Sequence, residues 1–205
     1  MFDCTTNEYD SLYARWLDKP GILLDLCGYD PMSHKLLDLC GGTGAVSREA
    51  LRRGAKWVAL ADLNPRVSDI KEVSTLRCHA EDAHRYFNLE TFDRVVLRQA
   101  LGYLHLEDTF RSVYHLLKPG GRFAFNSFSR PKWAWKSYEH EGVKFREASG
   151  YLGKTVVHLQ MRSLLKWDVS VFRWHTEDEI RAALNPYFVW DEISSGGSTR
   201  WVCRR

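Results

Sequence analysis

Apolar and polar positions change their spacing twice along this chain of 205 residues. Up to Phe128, short apolar runs alternate with stretches of helical period. The runs predict five buried strands, at residues 35–40, 56–61, 75–78, 92–97 and 122–128. Helical spacing predicts helices at 43–53, which is followed by Gly54 as a C-cap, and at 106–117, which is followed by the turn sequence KPGG. Strands that alternate with helices predict a parallel sheet covered on both faces.

After Phe128 the helical period gives way to a period of two. Val157, Leu159 and Met161 alternate with polar residues, and similar stretches between residues 131 and 175 predict antiparallel hairpins. Further along, a capping-box signature, T-x-x-E at 176–179, opens a helix predicted at 177–184. Apolar runs at 188–193 and 199–203 flank the turn sequence SSGGS and predict a closing hairpin at a sheet edge. At the other end, the aromatic and polar segment 7–18 predicts a helix within an N-terminal helical cap over residues 1–34.

Composition narrows the class of protein. Hydrophobic residues make up 44% and charged residues 27%, values typical of a soluble globular protein, and the length suits one domain over residues 1–205. No apolar run is long enough to span a bilayer, and residues 1–10 lack a signal-peptide pattern, so we expect a cytoplasmic protein without a membrane partner. Five cysteines without a C-x-x-C pair indicate reduced thiols rather than a disulfide framework or a structural zinc site.

A glycine-rich turn carries the strongest functional signal. The sequence LLDLCGGTG (36–44) predicts a strand, a turn that approaches a ligand closely and a following helix. Eighteen residues after Gly44, the second strand ends in Asp62, which can accept hydrogen bonds from a ribose diol. This geometry leaves a nicotinamide dinucleotide and S-adenosylmethionine (SAM) both open. A dinucleotide fingerprint would require glycine where Ser47 stands, which favours SAM, and Asp38 suits the α-ammonium group of that cofactor.

Five motifs in order resemble the class I SAM-dependent methyltransferases. The sequence LLDLCGGTG (36–44) is similar to their first motif, ADLNP (61–65) to the second and CHAEDA (78–83) to the segment that borders the adenine. FDRVVLRQALGYL (92–104) resembles the fourth strand and its exit, and LLKPGGRF (116–123) resembles the turn into the fifth strand. The resemblance implies an α/β, Rossmann-like fold: a seven-stranded, mostly parallel sheet with helices on both faces and an antiparallel C-terminal hairpin. The period-two region adds a small antiparallel β insertion after the fifth strand.

The resemblance also implies which residues bind SAM. The methionine end of SAM is expected to contact Asp38, Gly41, Gly42, Thr43 and Gly44, and the ribose is expected to contact Asp62. The adenine is expected to contact Leu63, His79, Ala80, Glu81 and Asp82. Arg98 and Gln99 are expected to lie under the sulfonium. Tyr9 and Tyr13 resemble tyrosines that close over the cofactor, with packing of an N-terminal helix as the alternative. Arg98 has a salt bridge at the top of the sheet as its alternative role. Many relatives carry Asp or Asn where His79 stands, and the short segment between Asp62 and Asp82 leaves room for only one or two helical turns.

Methyl transfer from a sulfonium asks little of the protein beyond orientation and a dry pocket, because the methyl group is already activated. A general base is needed only for a protonated or weakly nucleophilic acceptor. The candidates for a base near the expected pocket mouth are Tyr103, His105 and Tyr138, together with His140 and His158. Metal-dependent relatives need an acidic ligand at the end of the fourth strand. The sequence LRQ (97–99) stands there, so we predict no metal.

The insertion, residues 131–175, is expected to form a lid that selects the methyl acceptor. It holds four of the eight tryptophans, and eight Lys and Arg residues against four acids. A basic mouth favours an anionic acceptor, which Arg146, Arg162 and Arg173 would grip through their guanidinium groups. The alternative is that these charges form a solvated outer face. In the family, such an insertion forms the acceptor pocket or a dimer contact, which leaves a homodimer open.

Three functions are compatible with these residues. The sequence favours a methyltransferase that acts on the oxygen or nitrogen of a small molecule, with a biosynthetic pathway as its expected setting. A methyltransferase acting on RNA or protein is the second, although a net charge of +3 gives little support for a nucleic-acid partner. The third is a SAM-binding protein with other chemistry, such as cyclisation of SAM, because it would need the same cofactor pocket.

Overall fold

A central sheet of seven strands organises the chain. The computed structural model describes residues 19–67, 70–128, 134–140, 143–152, 155–163, 166–195 and 198–205, and between residues 128 and 170 and at 194, 195 and 198 it describes the backbone alone. The strands of the central sheet are β1 (Leu36–Leu39), β2 (Val58–Asp62), β3 (Val73–Arg77), β4 (Phe92–Leu97), β5 (Leu117–Phe128), β10 (Val189–Ser195) and β11 (Ser198–Arg204). Their order in the sheet is β10-β11-β5-β4-β1-β2-β3.

Strand direction within this sheet matches the predicted mixed topology. β1 to β5 pair in parallel, whereas β11 pairs antiparallel with both β5 and β10. The carboxyl ends of the five parallel strands therefore meet along one edge of the sheet, where α/β proteins bind their ligands.

Helices cover both faces of the sheet, as the alternation of elements predicts. α1 (Pro20–Leu26) and α2 (Ala45–Arg52) bury Leu23, Leu24, Val46 and Ala50 against one face. α3 (Leu106–Leu116), α4 (Glu177–Leu184) and a 3₁₀ helix (Ala80–Arg85) cover the other. Within that second layer, the indole of Trp201 stacks on Phe125 with 5.8 Å between ring centroids. Truncating a buried aromatic of this kind to alanine costs about 3–5 kcal/mol of folding free energy.

The period-two region forms a second sheet of four antiparallel strands. Its strands, in order, are β6 (Ala134–His140), β7 (Val143–Leu152), β8 (Thr155–Ser163) and β9 (Lys166–Arg173). Each strand pairs antiparallel with the next along the chain. The end of β9 lies against a second 3₁₀ helix (Leu101–Tyr103), where the rings of Phe172 and Tyr103 are 5.6 Å apart. The predicted antiparallel β insertion is therefore present.

Local sequence signals predicted the ends of some helices and strands correctly and did not predict the ends of others. Thr176 accepts a hydrogen bond from the Glu179 backbone while the Glu179 side chain accepts from Thr176, which confirms the capping box. Between Asp62 and Asp82, the Val67 carbonyl accepts from the Ile70 backbone N–H, and a 3₁₀ helix begins at Ala80. Residues 68 and 69 lie outside the described residues, so the one or two helical turns expected in this segment stay a prediction. β5 begins five residues before the predicted start, because Leu117 pairs with Phe92 ahead of a register shift.

The predicted N-terminal helix 7–18 lies outside the described residues, and α1 falls within the segment expected to form the helical cap. In the part of the chain that the structure describes, no helix combines the length and apolar character needed to cross a membrane.

Candidate active site

The turn after β1 brings backbone, rather than side chains, to the edge of the sheet. Cys40, Gly42 and Gly44 all have positive φ angles, of 56°, 53° and 76°. A Cβ added to Gly41 would lie 2.6 Å from the Leu60 side chain, and one added to Gly44 would lie 2.6 Å from Val67. Side chains at these positions would collide with the buried Leu60 and Val67, so the glycines allow the turn to pack closely against the core.

Asp38 lies under this turn and is held by Ser47. The side chain of Asp38 is only 1% exposed, and its Oδ2 accepts hydrogen bonds from the Ser47 backbone N–H at 2.9 Å and from the Ser47 hydroxyl at 2.8 Å. Burial raises the pKa of Asp38 to about 6, although the two Ser47 hydrogen bonds and the positive charge of Arg98 act in the opposite direction. Ser47 therefore has a role that glycine at the third fingerprint position could not fill, which is to fix a buried carboxylate at the first turn of α2.

Asp62 ends β2 beside the same turn. Its Oδ2 accepts from the Gly42 N–H at 2.9 Å and its Oδ1 accepts from the Asn64 N–H at 2.7 Å. Each carboxylate oxygen can accept a further hydrogen bond, so both remain able to bind a diol. The next residue, Leu63, has half of its side chain exposed, as expected for an apolar surface on which a planar ring could pack.

The exit of β3 brings an acid to the same edge. Glu81, in the first turn of the 3₁₀ helix, accepts at Oε1 from the His105 N–H at 3.0 Å. Its Oε2 is buried and has no hydrogen-bond partner among the described residues. The neighbouring Ala80 is buried, whereas His79 is exposed and precedes the helix in extended conformation. Glu81 thus has an acceptor oxygen that a ligand could use, and contact of Glu81 or Asp82 with the adenine in place of His79 stays a prediction.

The exit of β4 is fixed by a side chain from β5. Gln99 has a φ of 59°, which non-glycine residues rarely adopt, and its N–H donates to Oδ1 of Asn126 at 2.8 Å. Asn126 is 1% exposed, and its Nδ2 has no partner among the described residues. Arg98 lies close enough to Asp38 to lower the pKa of that carboxyl. The exits of β1 and β4 therefore meet at one place.

Of the candidates for a base, two have described side chains. Tyr103 is 59% exposed and packs against Phe172 of β9, so it lies where the second sheet meets the central one. His105 Nδ1 pairs with Asp108 at 2.9 Å on the surface at the start of α3. The structure does not describe the side chains of the other candidates, Tyr138, His140 and His158, or those of Tyr9 and Tyr13. The role of a base stays a prediction for each of the base candidates, and closure over the cofactor stays one for Tyr9 and Tyr13.

Of the three predicted acceptor-binding arginines, one has a described side chain. Arg173 ends β9 and pairs with Glu179 of α4 at 3.6 Å. Arg146 lies in β7 opposite Met161, and Arg162 lies at a register shift in β8; both side chains are outside the described ones. Binding of an acceptor by these residues stays a prediction.

Two residues of this site were missed at the sequence level. Ser47 could have been found as the hydroxyl three residues after the last glycine, on the helix turn that faces the strand bearing Asp38. Asn126 carries a weaker signal, an amide in the apolar run RFAFNSF (122–128) where burial requires hydrogen-bond partners. Within the described residues, no group of three or more His, Cys, Asp or Glu side chains is placed to hold a metal ion.

This combination of a glycine turn over a buried acid, an acid after β2 and an antiparallel last strand agrees with the family resemblance. A sequence profile of the methyltransferase domain matches residues 9–184 of the chain. The chain belongs to the class I SAM-dependent methyltransferases. The cofactor of this family is SAM, and the fold of this chain is similar to that of solved SAM-dependent methyltransferases.

Comparisons with curated relatives and with solved structures support the same family assignment. The ubiquinone/menaquinone biosynthesis C-methyltransferases of Zymomonas mobilis and Pseudomonas savastanoi are 28% and 32% identical over 111 and 133 residues, which are 50% and 58% of this chain. The chain spans about half the length of these relatives, 46% and 52% respectively. Among solved structures, DesVI of Streptomyces venezuelae is similar with a TM-score of 0.75 at 19% identity, covering 98% of this chain and 99% of that one. CalS10 of Micromonospora echinaspora, an amino pentose methyltransferase solved with SAM bound, gives 0.74 at 19% identity, with 100% and 99% covered. At this identity the two structures bear on the fold alone.

The residues at the sheet edge fit SAM as a cofactor. For an adenosyl group, the Asp62 carboxylate would accept from the diol, the exposed Leu63 beside it would pack on the ring, and the buried Oε2 of Glu81 would accept from the amine. Asp38, under the turn, would supply negative charge for an α-ammonium group.

Proposed function

We propose that this methyltransferase modifies an oxygen or nitrogen of a small molecule, with the second sheet forming the acceptor side of the pocket. The observation that carries this proposal is the contact between β9 and the exit of β4. Gly102 admits β9 so closely that an added Cβ would lie 2.8 Å from the Arg173 carbonyl oxygen and from the Phe172 ring. An element docked there borders the space where a methyl group would be transferred.

The relatives and neighbours support a small acceptor. The curated relatives are named for ubiquinone and menaquinone biosynthesis, CalS10 is described as an amino pentose methyltransferase, and another structural neighbour is a 1,6-didemethyltoxoflavin N1-methyltransferase. The names of the curated relatives specify methylation at carbon and that of the toxoflavin enzyme methylation at nitrogen, so the names support a small acceptor and do not agree on the acceptor atom. A biosynthetic role for this chain rests on the same comparison.

In this proposal the chain works by holding its two ligands in line. When bound, SAM supplies a methyl group that is already activated for transfer. Asp62 orients the ribose, Glu81 the adenine edge, and the turn at residues 41–44 the amino-acid end, while Asp38 offers its charge to the ammonium group. Tyr103, exposed beside Phe172, forms one wall of the acceptor side. Positioning of this kind can contribute about 7–11 kcal/mol of a reaction barrier without any acid or base.

Charge on the second sheet sets the expected acceptor chemistry. The stretch from 131 to 175 carries four more basic than acidic residues, so a carboxylate or phosphate on the acceptor would be attracted to it. Arg146, Arg162 and Arg173 are the proposed contacts. Arg173 would exchange its surface pairing with Glu179 for the ligand, at little cost, because exposed ion pairs contribute only about 0–1 kcal/mol. A homodimer built on the same insertion stays part of the proposal.

The test is a product analysis with defined acceptor classes. The protein is incubated with SAM alone and with panels of amino sugars, hydroxylated aromatic acids, total RNA and total protein, each with and without EDTA. Formation of S-adenosylhomocysteine only with a small-molecule panel, unchanged by EDTA, is the expected result. Methyl incorporation only into RNA or protein would overturn the small acceptor, and methylthioadenosine from SAM alone would indicate intramolecular chemistry. Loss of activity on chelation that magnesium restores would contradict the predicted absence of a metal.

A further inference from the structure

Asn126 is a buried amide whose amino group has no hydrogen-bond partner among the described residues. Its Oδ1 accepts from the Gln99 N–H at 2.8 Å, and because the donor is a backbone N–H, this contact fixes which end of the amide is oxygen. The amino end, Nδ2, is therefore the one without a partner among the described residues. Leaving a buried donor unpaired costs about 1–3 kcal/mol, which favours a ligand that pairs with it.

The position of Asn126 shows where such a ligand lies. Leu97 of β4 pairs with Phe125 of β5, so Asn126 and Arg98 follow as neighbours at the carboxyl ends of these strands. Paired residues of a sheet share a face, and Ala124, two residues before Asn126, belongs to the core layer under α1 and α2. Asn126 thus lies on the side of the sheet that carries the glycine turn and α2.

Two basic residues lie beside Asn126 in the sheet. Arg200 of β11 is its antiparallel partner, and Arg98 follows Leu97 at the end of β4. A donor amide makes its stronger hydrogen bonds with an acceptor that carries negative charge. SAM carries one such group, the carboxylate of its amino-acid end, and that end is the part expected over the turn next to the β4 exit.

We propose that Asn126 is a cofactor-positioning residue, whose Oδ1 holds the β4 exit in place and whose Nδ2 donates to the carboxylate of the amino-acid end of SAM. The same side chain then couples the backbone conformation at Gln99 to the placement of the cofactor. Gln99 keeps its strained φ of 59° only while its N–H is held. Loss of the Nδ2 donor should weaken ligands that have the carboxylate and leave those without it unaffected.

The experiment compares two ligands that differ in the amino-acid end. S-Adenosylhomocysteine has the carboxylate, and 5′-methylthioadenosine lacks both carboxylate and ammonium group. Asn126→Asp keeps an oxygen to accept from Gln99 and replaces the donor by a like charge. By calorimetric titration, this variant should bind S-adenosylhomocysteine at least roughly tenfold more weakly and methylthioadenosine within about twofold of wild type. Because methylthioadenosine requires the folded adenosine site, its binding also reports that the variant is intact.

A second variant guards against a folding defect caused by the acid. The serine side chain in Asn126→Ser is smaller than asparagine and uncharged. This variant should also lose affinity for S-adenosylhomocysteine selectively, by a smaller factor than Asn126→Asp. An equal loss for both ligands would mean that Asn126 only holds the turn after β4 and would overturn the proposal, as would unchanged affinity for S-adenosylhomocysteine. Failure of the wild type to bind S-adenosylhomocysteine at all would instead contradict the cofactor assignment, so the two failures are distinguishable.

Discussion

At the residue scale, each acid at the sheet edge already serves the protein before it serves a ligand. Asp62 holds Gly42 and Asn64 through their N–H groups, and Asp38 is held in turn by Ser47. In the proposed function, the same carboxylates shape the turn and offer the charge that a cofactor needs. This dual use makes their replacement informative about both stability and binding.

Asp62 is expected to contribute most of the ribose binding. Asp62→Ala removes two charge-assisted hydrogen bonds, each worth about 1.5–3 kcal/mol, so affinity for S-adenosylhomocysteine should fall at least roughly tenfold. Asp62→Asn keeps an acceptor oxygen for Gly42, so the affinity of this variant for S-adenosylhomocysteine should fall less. Asp191→Ala, at an exposed position of the edge strand β10, is the matched control and should bind like wild type. Unchanged affinity in Asp62→Ala would remove Asp62 from the ribose site.

The ionisation of Asp38 should make the free energy of unfolding depend on pH. Because burial raises its pKa from 3.8 to about 6, the folded state disfavours the charged carboxylate, and this destabilisation grows as pH rises from about 4 to above 6. Asp38→Asn retains an oxygen for Ser47 and cannot ionise. Its melting temperature should exceed that of wild type at pH 8, by an amount corresponding to roughly 3 kcal/mol at most, and the gain should vanish below pH 4. S-Adenosylhomocysteine binding should weaken at pH 8. A variant less stable than wild type at pH 8 would contradict the assigned pKa direction.

Residue identities in the motifs were readable from the sequence because strand ends and glycines fix where they lie. The positions of Asp38, Asp62 and the glycines followed from the alternation of apolar runs with turns. Ser47 and Asn126 did not, because their roles depend on contacts across strands: Asn126 meets Gln99 from a position 27 residues away. The local pattern of apolar and polar residues does not indicate a contact between residues so far apart in the sequence.

At the element scale, the turn between β1 and α2 depends on close approach as much as on backbone freedom. Two glycines separate these effects: Gly44 has a φ of 76° and Val67 at 2.6 Å from an added Cβ, whereas Gly54 has a φ of 90° and nothing within 4 Å. Gly54→Ala should cost about 1 kcal/mol of unfolding free energy and leave S-adenosylhomocysteine binding unchanged. Gly44→Ala should cost more and also weaken binding, as measured by urea unfolding and titration. Equal stability losses with equal binding would contradict a specific role for the turn at Gly44.

The second sheet provides the other element-scale prediction. If its charges bind an anionic acceptor, at least one of Arg146→Glu, Arg162→Glu and Arg173→Glu should raise the acceptor KM strongly and leave S-adenosylhomocysteine affinity intact. Arg181→Glu, in α4 and paired with Glu192, is a charge-reversal control away from the insertion and should not change the KM. If all three variants turn over the acceptor like wild type, the basic residues form only a solvated face.

Elements with strong local signals were predicted closely, and those set by tertiary contacts were not. The helix Glu177–Leu184 and the strand Phe92–Leu97 match their predicted bounds, because a capping box and a sharply bounded apolar run define them locally. The 3₁₀ helix Ala80–Arg85 has no comparable local signal. It forms where Ala80 and Ala83 pack into the core layer under α3.

At the scale of the whole molecule, the strand order explains why one edge carries the chemistry. Five parallel strands end together, and β11, running the other way, closes the sheet beside β5. The cofactor and the acceptor would therefore lie side by side along this edge. The cofactor would reach from β2 across β1 to the β4 exit and Asn126, and the acceptor would lie beside its methyl group beneath the second sheet. Fold and cofactor could be predicted because they follow from the order of motifs. The acceptor could not, because it depends on the insertion, whose alternating pattern specifies strands without specifying a ligand.

A calorimetric titration of the wild-type protein with S-adenosylhomocysteine and, in parallel, with NADH tests the cofactor site most directly. Both ligands contain an adenosine, so both probe the acid after β2, and only a dinucleotide needs room for a pyrophosphate over the glycine turn. We predict one-to-one binding of S-adenosylhomocysteine with a Kd on the order of micromolar and no measurable binding of NADH. Tight binding of NADH without binding of S-adenosylhomocysteine would contradict SAM as the cofactor of this site.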